Sequence, residues 1–303
     1  MSGFTAAEVP DQSGKTFIVT GANTGIGFEA AKVLAEKGAR VLLGCRDEGK
    51  ALAAMSAIRG TAPNASLAFL PLDQADLASV RRAAELAAQE PRLDVLLNNA
   101  GVMFPPLTRT KQGFELQFGV NHLGTFALTS LLLPKLAETA GSRVVVTASL
   151  AHQRGNIQWD DLDAEKGYNR TQRYSDSKLA NMLHFAELDR RLRAAGSAVT
   201  AMGCHPGVAA TELMRHAGPF RVFTPLFGML LNTAAQGAWP ALEAATAPNA
   251  ESGGYYGPQG MGEMRGTSGK AKRTSAASDP ELARKLWDVS VAKTGIDPGL
   301  SPA

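Results

Sequence analysis

The chain has 303 residues, 45% hydrophobic and 19% charged, and carries a formal net charge of +3. A chain of this length and balance buries enough apolar surface to stand without a disulfide or a structural metal. The slight positive excess suits attraction of an anionic small molecule and excludes the clustered basic stripe of a nucleic-acid binder.

The first fifteen residues hold neither a basic leader region nor an apolar run, so no secretory signal is expected. Short β-branched runs then alternate with longer amphipathic stretches. Residues 16–20, 39–43, 67–71, 95–98, 144–147 and 199–203 read as strands, with a seventh at 254–257. Helical stretches fall at 28–37, 48–58, 77–89 and 178–195, the last within a helix that opens at Tyr174. The strands are apolar throughout rather than alternating, the mark of a parallel sheet covered on both faces. The expected fold class is therefore α/β, a single-domain doubly wound parallel sheet spanning 1–303.

Three stretches break the rhythm. Residues 150–173 form a long polar connection. Residues 208–232 are rich in Pro and Phe, and a long apolar excursion of this kind reads as a substrate lid or as a patch packed on a partner subunit. Residues 261–279, rich in Gly, Ser, Lys and Arg, read as a flexible loop before a last helix at 281–293. The longest apolar runs, near 131–133 and 220–231, fall short of the ~18–20 residues that span a bilayer, so a soluble cytoplasmic protein with no transmembrane segment is expected. Cys45 and Cys204 lie far apart in apolar runs and read as buried reduced thiols. No His, Cys, Asp or Glu cluster suggests a metal.

Function-bearing residues gather at the ends of the strands. Thr20-Gly21-Ala22-Asn23-Thr24-Gly25-Ile26-Gly27 follows the first strand and opens the first helix. Glycine permits the tight turn and a close approach of backbone to an anion, while the helix N-terminus offers free N–H groups and partial positive charge. At the end of the second strand, Cys45-Arg46 stands where an NAD site places a carboxylate for the ribose 2′-hydroxyl. A guanidinium there suits a 2′-phosphate, so NADP(H) is favoured over NAD(H); Asp47 could pair with Arg46 and weaken that grip. Leu72-Asp73 and Asn98-Asn99-Ala100-Gly101 end the third and fourth strands, where adenine and ribose would lie.

Tyr174 and Lys178 stand four residues apart, on one face of a helix. A fixed ammonium beside a phenol makes it serviceable as a proton donor and acceptor near neutral pH. Ser149, after the fifth strand, can polarise a substrate oxygen. Asn121 offers an amide that could hold a water relaying protons to Lys178. Pro206-Gly207, after the sixth strand, can meet a nicotinamide carboxamide. His122, His152 and His205 read as packing or surface groups, and no G-x-S-x-G elbow supports a hydrolase.

TGxxxGxG, NNAG, the Asn of GVNHLG, Ser before YxxxK, and HPG, in this order, resemble the short-chain dehydrogenase/reductase family over about residues 15–260. TGANTGIG, CR after the second strand, WDDL, YSDSKLANMLH and HPGVAATEL are similar to its retinol dehydrogenase branch and the protochlorophyllide-reductase-like relatives. The resemblance implies a Rossmann-type fold and a catalytic set of Asn121, Ser149, Tyr174 and Lys178. The cofactor-contacting set is Gly21, Asn23, Thr24, Gly25, Ile26, Gly27, Arg46, Leu72, Asp73, Asn99, Ala100, Gly101, Tyr174, Lys178, Pro206, Gly207, Val208 and Thr211. It implies hydride transfer between NADP(H) and a medium to large apolar aldehyde, ketone or alcohol, and in many members a homo-oligomer. Reduction of a C=C bond and a non-catalytic NADP-binding sensor are the alternative readings.

Overall fold

The computed structural model describes residues 3–208 and 232–301. Its strands are β1 (Thr16–Thr20), β2 (Arg40–Cys45), β3 (Ser66–Pro71), β4 (Val95–Asn98), β5 (Arg143–Thr147), β6 (Thr200–Cys204), β7 (Tyr255–Gly260) and β8 (Arg265–Lys270). They form one sheet in the order β3-β2-β1-β4-β5-β6-β7-β8. Every pairing from β3 to β7 is parallel, and β8 returns antiparallel on β7. Strand order reverses at β1 and β4, so the carboxyl ends of these two strands flank the crevice where such sheets bind ligands.

The apolar strands face two separate cores. Ile18, Leu42, Leu96, Val144 and Val146 belong to one, while Phe17, Val19, Val41, Leu43, Leu97 and Val145 belong to the other. This division follows from the two-residue period of a strand, which turns neighbours to opposite faces. Helices α1 (Gly25–Glu36), α2 (Glu48–Thr61) and α7 (Ala234–Thr246) supply the second core. The first is closed by α3 (Leu77–Ala88), α5 (Gly124–Ala137), α6 (Arg170–Ala194) and α8 (Pro280–Thr294). A short α4 (Leu116–Phe118) runs through a π-helical turn, Gly119–Leu123, into α5.

Two readings of the sequence are corrected. Part of the stretch expected to be a flexible loop, 261–279, is strand β8, whose Gly, Ser and Thr residues carry no apolar alternation but pair through the backbone with β7. Its outer edge is covered in turn by Phe4, which exchanges two 2.9 Å hydrogen bonds with Ser268. Helix α6 also starts earlier than Tyr174. Asn169 caps it by accepting from Thr171 and Gln172 N–H, and its first turn is polar because Arg173 is buried through an ion pair with Asp161. The 208–232 excursion, expected as a lid, lies outside the described residues except at its two ends, where Asn232 N–H donates to the Val208 carbonyl at 3.0 Å.

Among the described residues, no helix is long and apolar enough to cross a membrane. Cys45 and Cys204 are buried free thiols, and burial pushes Cys204 up to about 12.

Phe126 of α5 is fully buried and meets the Trp287 ring of α8 edge-on at 5.2 Å. Phe126→Ala removes that contact and opens a cavity, so it is expected to cost about 3–5 kcal/mol of stability. Urea unfolding with an unchanged slope checks this; a cost below about 1 kcal/mol would show that α8 does not depend on this packing.

Candidate active site

The turn between β1 and α1 is shaped for an anion. Gly21 and Gly25 take φ of +68° and +59°, a region that side chains other than glycine's rarely enter. A Cβ at Gly27 would stand 2.5 Å from both the Gly21 carbonyl oxygen and Asn99 Nδ2, so no side chain fits there. Thr24 caps α1 without a side-chain hydrogen bond, and no acidic residue occupies the first turn. The first N–H groups of α1 therefore keep their donors and their positive end for a ligand.

The neighbouring strand ends are tied to this turn. Thr20 Oγ1 accepts from the N–H groups of Asn99 and Ala100 at 3.0 and 2.9 Å, and Asn99 Nδ2 donates back to the Thr20 carbonyl at 2.9 Å. The Asn99 amide thus joins β1 to β4. Leu72 is a buried wall, its N–H bonded to the Cys45 carbonyl at 3.0 Å. Asp73 accepts from Ala75 N–H at 2.9 Å through Oδ1. At the β2 end, Arg46 is exposed and has no hydrogen-bond or ion-pair partner among the described residues. Asp47 is engaged elsewhere: it caps α2 through Lys50 N–H at 2.9 Å and lies 3.8 Å from Lys50 Nζ. The pairing of Asp47 with Arg46 that the sequence allowed is not formed.

The Tyr174, Lys178, Ser149 and Asn121 positions converge at the ends of β4 and β5. Lys178 is buried, and its ammonium donates to the Thr147 carbonyl at the end of β5 at 3.1 Å; Asn181 Nδ2 shares that acceptor at 3.0 Å. Lys178 Nζ lies 5.8 Å from the centre of the Tyr174 ring, one helical turn away. Two residues beyond Thr147, Ser149 Oγ accepts from Ala151 N–H at 3.2 Å, which leaves the hydroxyl proton free to be donated. Tyr174 packs against Phe104, ring centres 5.3 Å apart and nearly perpendicular. Phe104 holds a left-handed φ of +57°, and its N–H donates to Gln117 Oε1 at 2.9 Å.

Asn121 sits in the π-helical turn, fully buried. Its amide nitrogen donates to the Val102 carbonyl and to Ser177 Oγ, each at 2.9 Å, while Oδ1 accepts from Val102 N–H at 2.7 Å. Both amide protons are committed within the protein. The side chain therefore anchors the segment that follows β4, with both of its donors used inside the protein. His152, read as a surface or supporting group, is buried; its Nδ1 bonds the Ser149 carbonyl at 2.7 Å and burial lowers its pKa.

Residues 15–221 match the family model for short chain dehydrogenase. Human retinol dehydrogenase 13 is 45% identical over 293 residues, covering 94% of this chain and 86% of its own. The chain belongs to the short chain dehydrogenase family. Among solved structures, an uncharacterized protein from Mycobacterium paratuberculosis superposes with a TM-score of 0.82 at 37% identity, over 99% of this chain and 100% of that one. A short chain dehydrogenase from Escherichia coli CFT073 complexed with NADPH gives 0.64 at 25% identity, over 80% and 95%.

Members of this family use a nicotinamide cofactor, and the residues of this short chain dehydrogenase fit one. The open α1 terminus, the side-chain-free contact at Gly27 and the uncommitted Arg46 follow one another along the carboxyl edge of the sheet. Sequence reasoning missed Asn181 and Phe104, and the tie that Thr20 makes to Asn99 and Ala100. Asn181 was findable, since it follows Lys178 by three residues on the same helix face. Phe104 left no signal, because its placement depends on a left-handed backbone set by Gln117. Thr211 lies outside the described residues.

Gly27→Ala places a methyl group against the Gly21 carbonyl and the Asn99 amide. Loss of dinucleotide binding by roughly tenfold or more is expected in a protein that still folds. Isothermal titration checks it, and wild-type affinity in the variant would show that the turn opens without cost.

Proposed function

We propose that this short chain dehydrogenase transfers a hydride between NADP(H) and the carbonyl or alcohol carbon of a medium to large apolar substrate, with Tyr174 as the acid/base. The observation that carries the reading is the buried Lys178 ammonium, pinned on the Thr147 carbonyl beside the Tyr174 ring and two residues from Ser149. When bound, the nicotinamide supplies or accepts the hydride. Tyr174 gives its phenolic proton to the developing alkoxide in reduction, or takes the hydroxyl proton in oxidation. Lys178 stabilises the negative charge left on the phenol oxygen. Ser149 donates to the substrate oxygen, held for this by the Ala151 N–H on its other side. Asn121 ties Val102, after β4, to Ser177 of α6.

The choice of NADP(H) over NAD(H) rests on Arg46, which is exposed and uncommitted while Asp47 is taken by α2. The NADPH complex of the Escherichia coli relative is consistent with it. The apolar substrate class rests on the Phe- and Pro-rich composition of 208–232 and on relatives named as retinol dehydrogenases; a retinoid-type alcohol or aldehyde belongs to that class.

Tyr174→Phe is expected to lower kcat by about 10²–10⁴ while NADPH still binds. Turnover of a panel of aldehydes, ketones and alcohols, with cofactor binding followed in parallel, is the measurement, and an unchanged rate would overturn the mechanism. Arg46→Ala should weaken NADPH roughly ten- to hundredfold, the scale of a lost charged hydrogen bond, and NADH hardly at all. Equal losses for the two would refute the phosphate role.

A further inference from the structure

The segment of residues 206–208, placed above at the nicotinamide, is shaped almost entirely by groups that come later in the chain. Gly207 N–H donates to His205 Nδ1 at 3.2 Å, and Val208 N–H donates to the Met264 carbonyl at 2.9 Å. The Pro206 carbonyl accepts from Asn232 Nδ2 at 3.0 Å, and the Val208 carbonyl accepts from Asn232 N–H at 3.0 Å. Of the polar backbone groups in these three residues, the Gly207 carbonyl alone has no partner among the described residues. Gly207 has a φ of +71°, and a Cβ on it would stand 2.3 Å from the Met264 oxygen. The carbonyl of a distant turn thus takes the space of a side chain.

That turn joins β7 to β8, and it is strained. Met261, Gly262 and Glu263 all take left-handed φ, at 50°, 65° and 65°. Such conformations persist where the surroundings over-determine them, and they gather at functional sites. Glu263 supplies the determination. Its Oε1 accepts from Lys272 N–H at 2.9 Å, and its Oε2 lies 3.3 Å from Nε2 of the fully buried His205. Because His205 Nδ1 accepts from Gly207 N–H, the ring proton sits on Nε2, facing the carboxylate. The contact is close though off the line of a good hydrogen bond, and the imidazole still holds the Glu263 carboxyl below its usual range. On the other side, Asn232 is buried, and its Oδ1 accepts from Gly266 N–H at 3.2 Å, next to the same turn.

We propose that Glu263, acting through His205, and Asn232 are positioning residues that preorganise residues 206–208 for the nicotinamide end of the cofactor. The inference rests on the proposed function and adds to it a determinant beyond residue 221, where the family model ends. A preformed segment spares the cofactor the entropy of ordering it, which is the usual source of affinity from groups that never touch the ligand. Neither residue is assigned any part in proton or hydride transfer.

The test compares NADPH with 2′-phospho-ADP-ribose, a fragment that lacks the nicotinamide, on the full chain. Glu263→Ala is expected to raise the Kd for NADPH by about five- to tenfold and leave the fragment's Kd unchanged, with Glu263→Gln falling between. Asn232→Ala should act in the same direction, and the double variant should lose less than the product of the two, because both hold one segment. If Asn232→Ala does not fold, the Glu263 pair alone decides. Equal changes for NADPH and the fragment, or none for either, would overturn the inference while leaving the proposed function standing. A wild-type protein that binds neither NADPH nor NADH would overturn the proposed function, and the inference with it.

Discussion

The arrangement at the centre of the molecule depends on one buried contact, the Lys178 ammonium on the Thr147 carbonyl. Burying a charge is costly unless it is paired or hydrogen-bonded, and here the carbonyl is available because it lies at the last residue of β5, where the ladder ends. Asn181 reaches the same oxygen from one turn further along α6. The two bonds fix the rotation of α6 about its own axis. With that rotation set, Tyr174 stands one turn before Lys178 at the carboxyl edge of the sheet, the edge from which the loop carrying Ser149 leaves β5. A helix free to turn by one residue, about 100°, would carry Tyr174 away from that edge.

The same logic governs the opposite wall. Asn121 is wholly buried, and a buried amide left without partners would cost about 1–3 kcal/mol. Its partners are the backbone of Val102 on one side and Ser177 on the other, so satisfying it joins the segment after β4 to α6. The π-helical turn at Gly119–Leu123 aims the side chain into this space, in keeping with the tendency of such turns to occur at functional positions. Gly101 completes the fit: a Cβ there would stand 3.1 Å from Asn121 Oδ1 and 3.5 Å from Lys178 Nζ. Polar satisfaction thus aligns the two walls.

Much of this could be read from the chain, for identifiable reasons. The strands from β1 to β6 are apolar on both faces, so they stand out without any partner being known. The Gly turn, Tyr174, Lys178 and Ser149 follow from their places relative to those strands. Strand β8 was misread because Gly266, Ser268 and Gly269 have no apolar period; its existence depends on β7 and on the Phe4 bridge, which are long-range pairings. The first turn of α6 was missed because Arg173 is buried by Asp161, a contact that hydropathy cannot see. The anchoring bonds of Asn121 were hidden for a related reason. An amide at the right place in the sequence does not disclose that both of its protons are already taken.

The Arg46–Asp47 pair shows how a local constraint can settle an ambiguity that composition leaves open. Adjacent opposite charges invite the idea of mutual neutralisation, yet consecutive residues at a strand end point in different directions. Asp47 is drawn into the helix that follows, where an N-cap carboxylate satisfies an otherwise unpaired N–H and meets the positive end of the helix. Six described helices begin on a side-chain cap: α2 on Asp47, α3 on Asp76, α4 on Glu115, α6 on Asn169, α7 on Thr233 and α8 on Asp279. Helix α1 begins on Thr24 with no such bond. The cap that α2 needs takes the carboxylate away from Arg46, and the cap that α1 lacks leaves its N–H groups open. These two local differences between neighbouring helices place an uncommitted guanidinium and an uncommitted helix terminus along the same edge, a combination suited to a ligand that carries phosphate at both places.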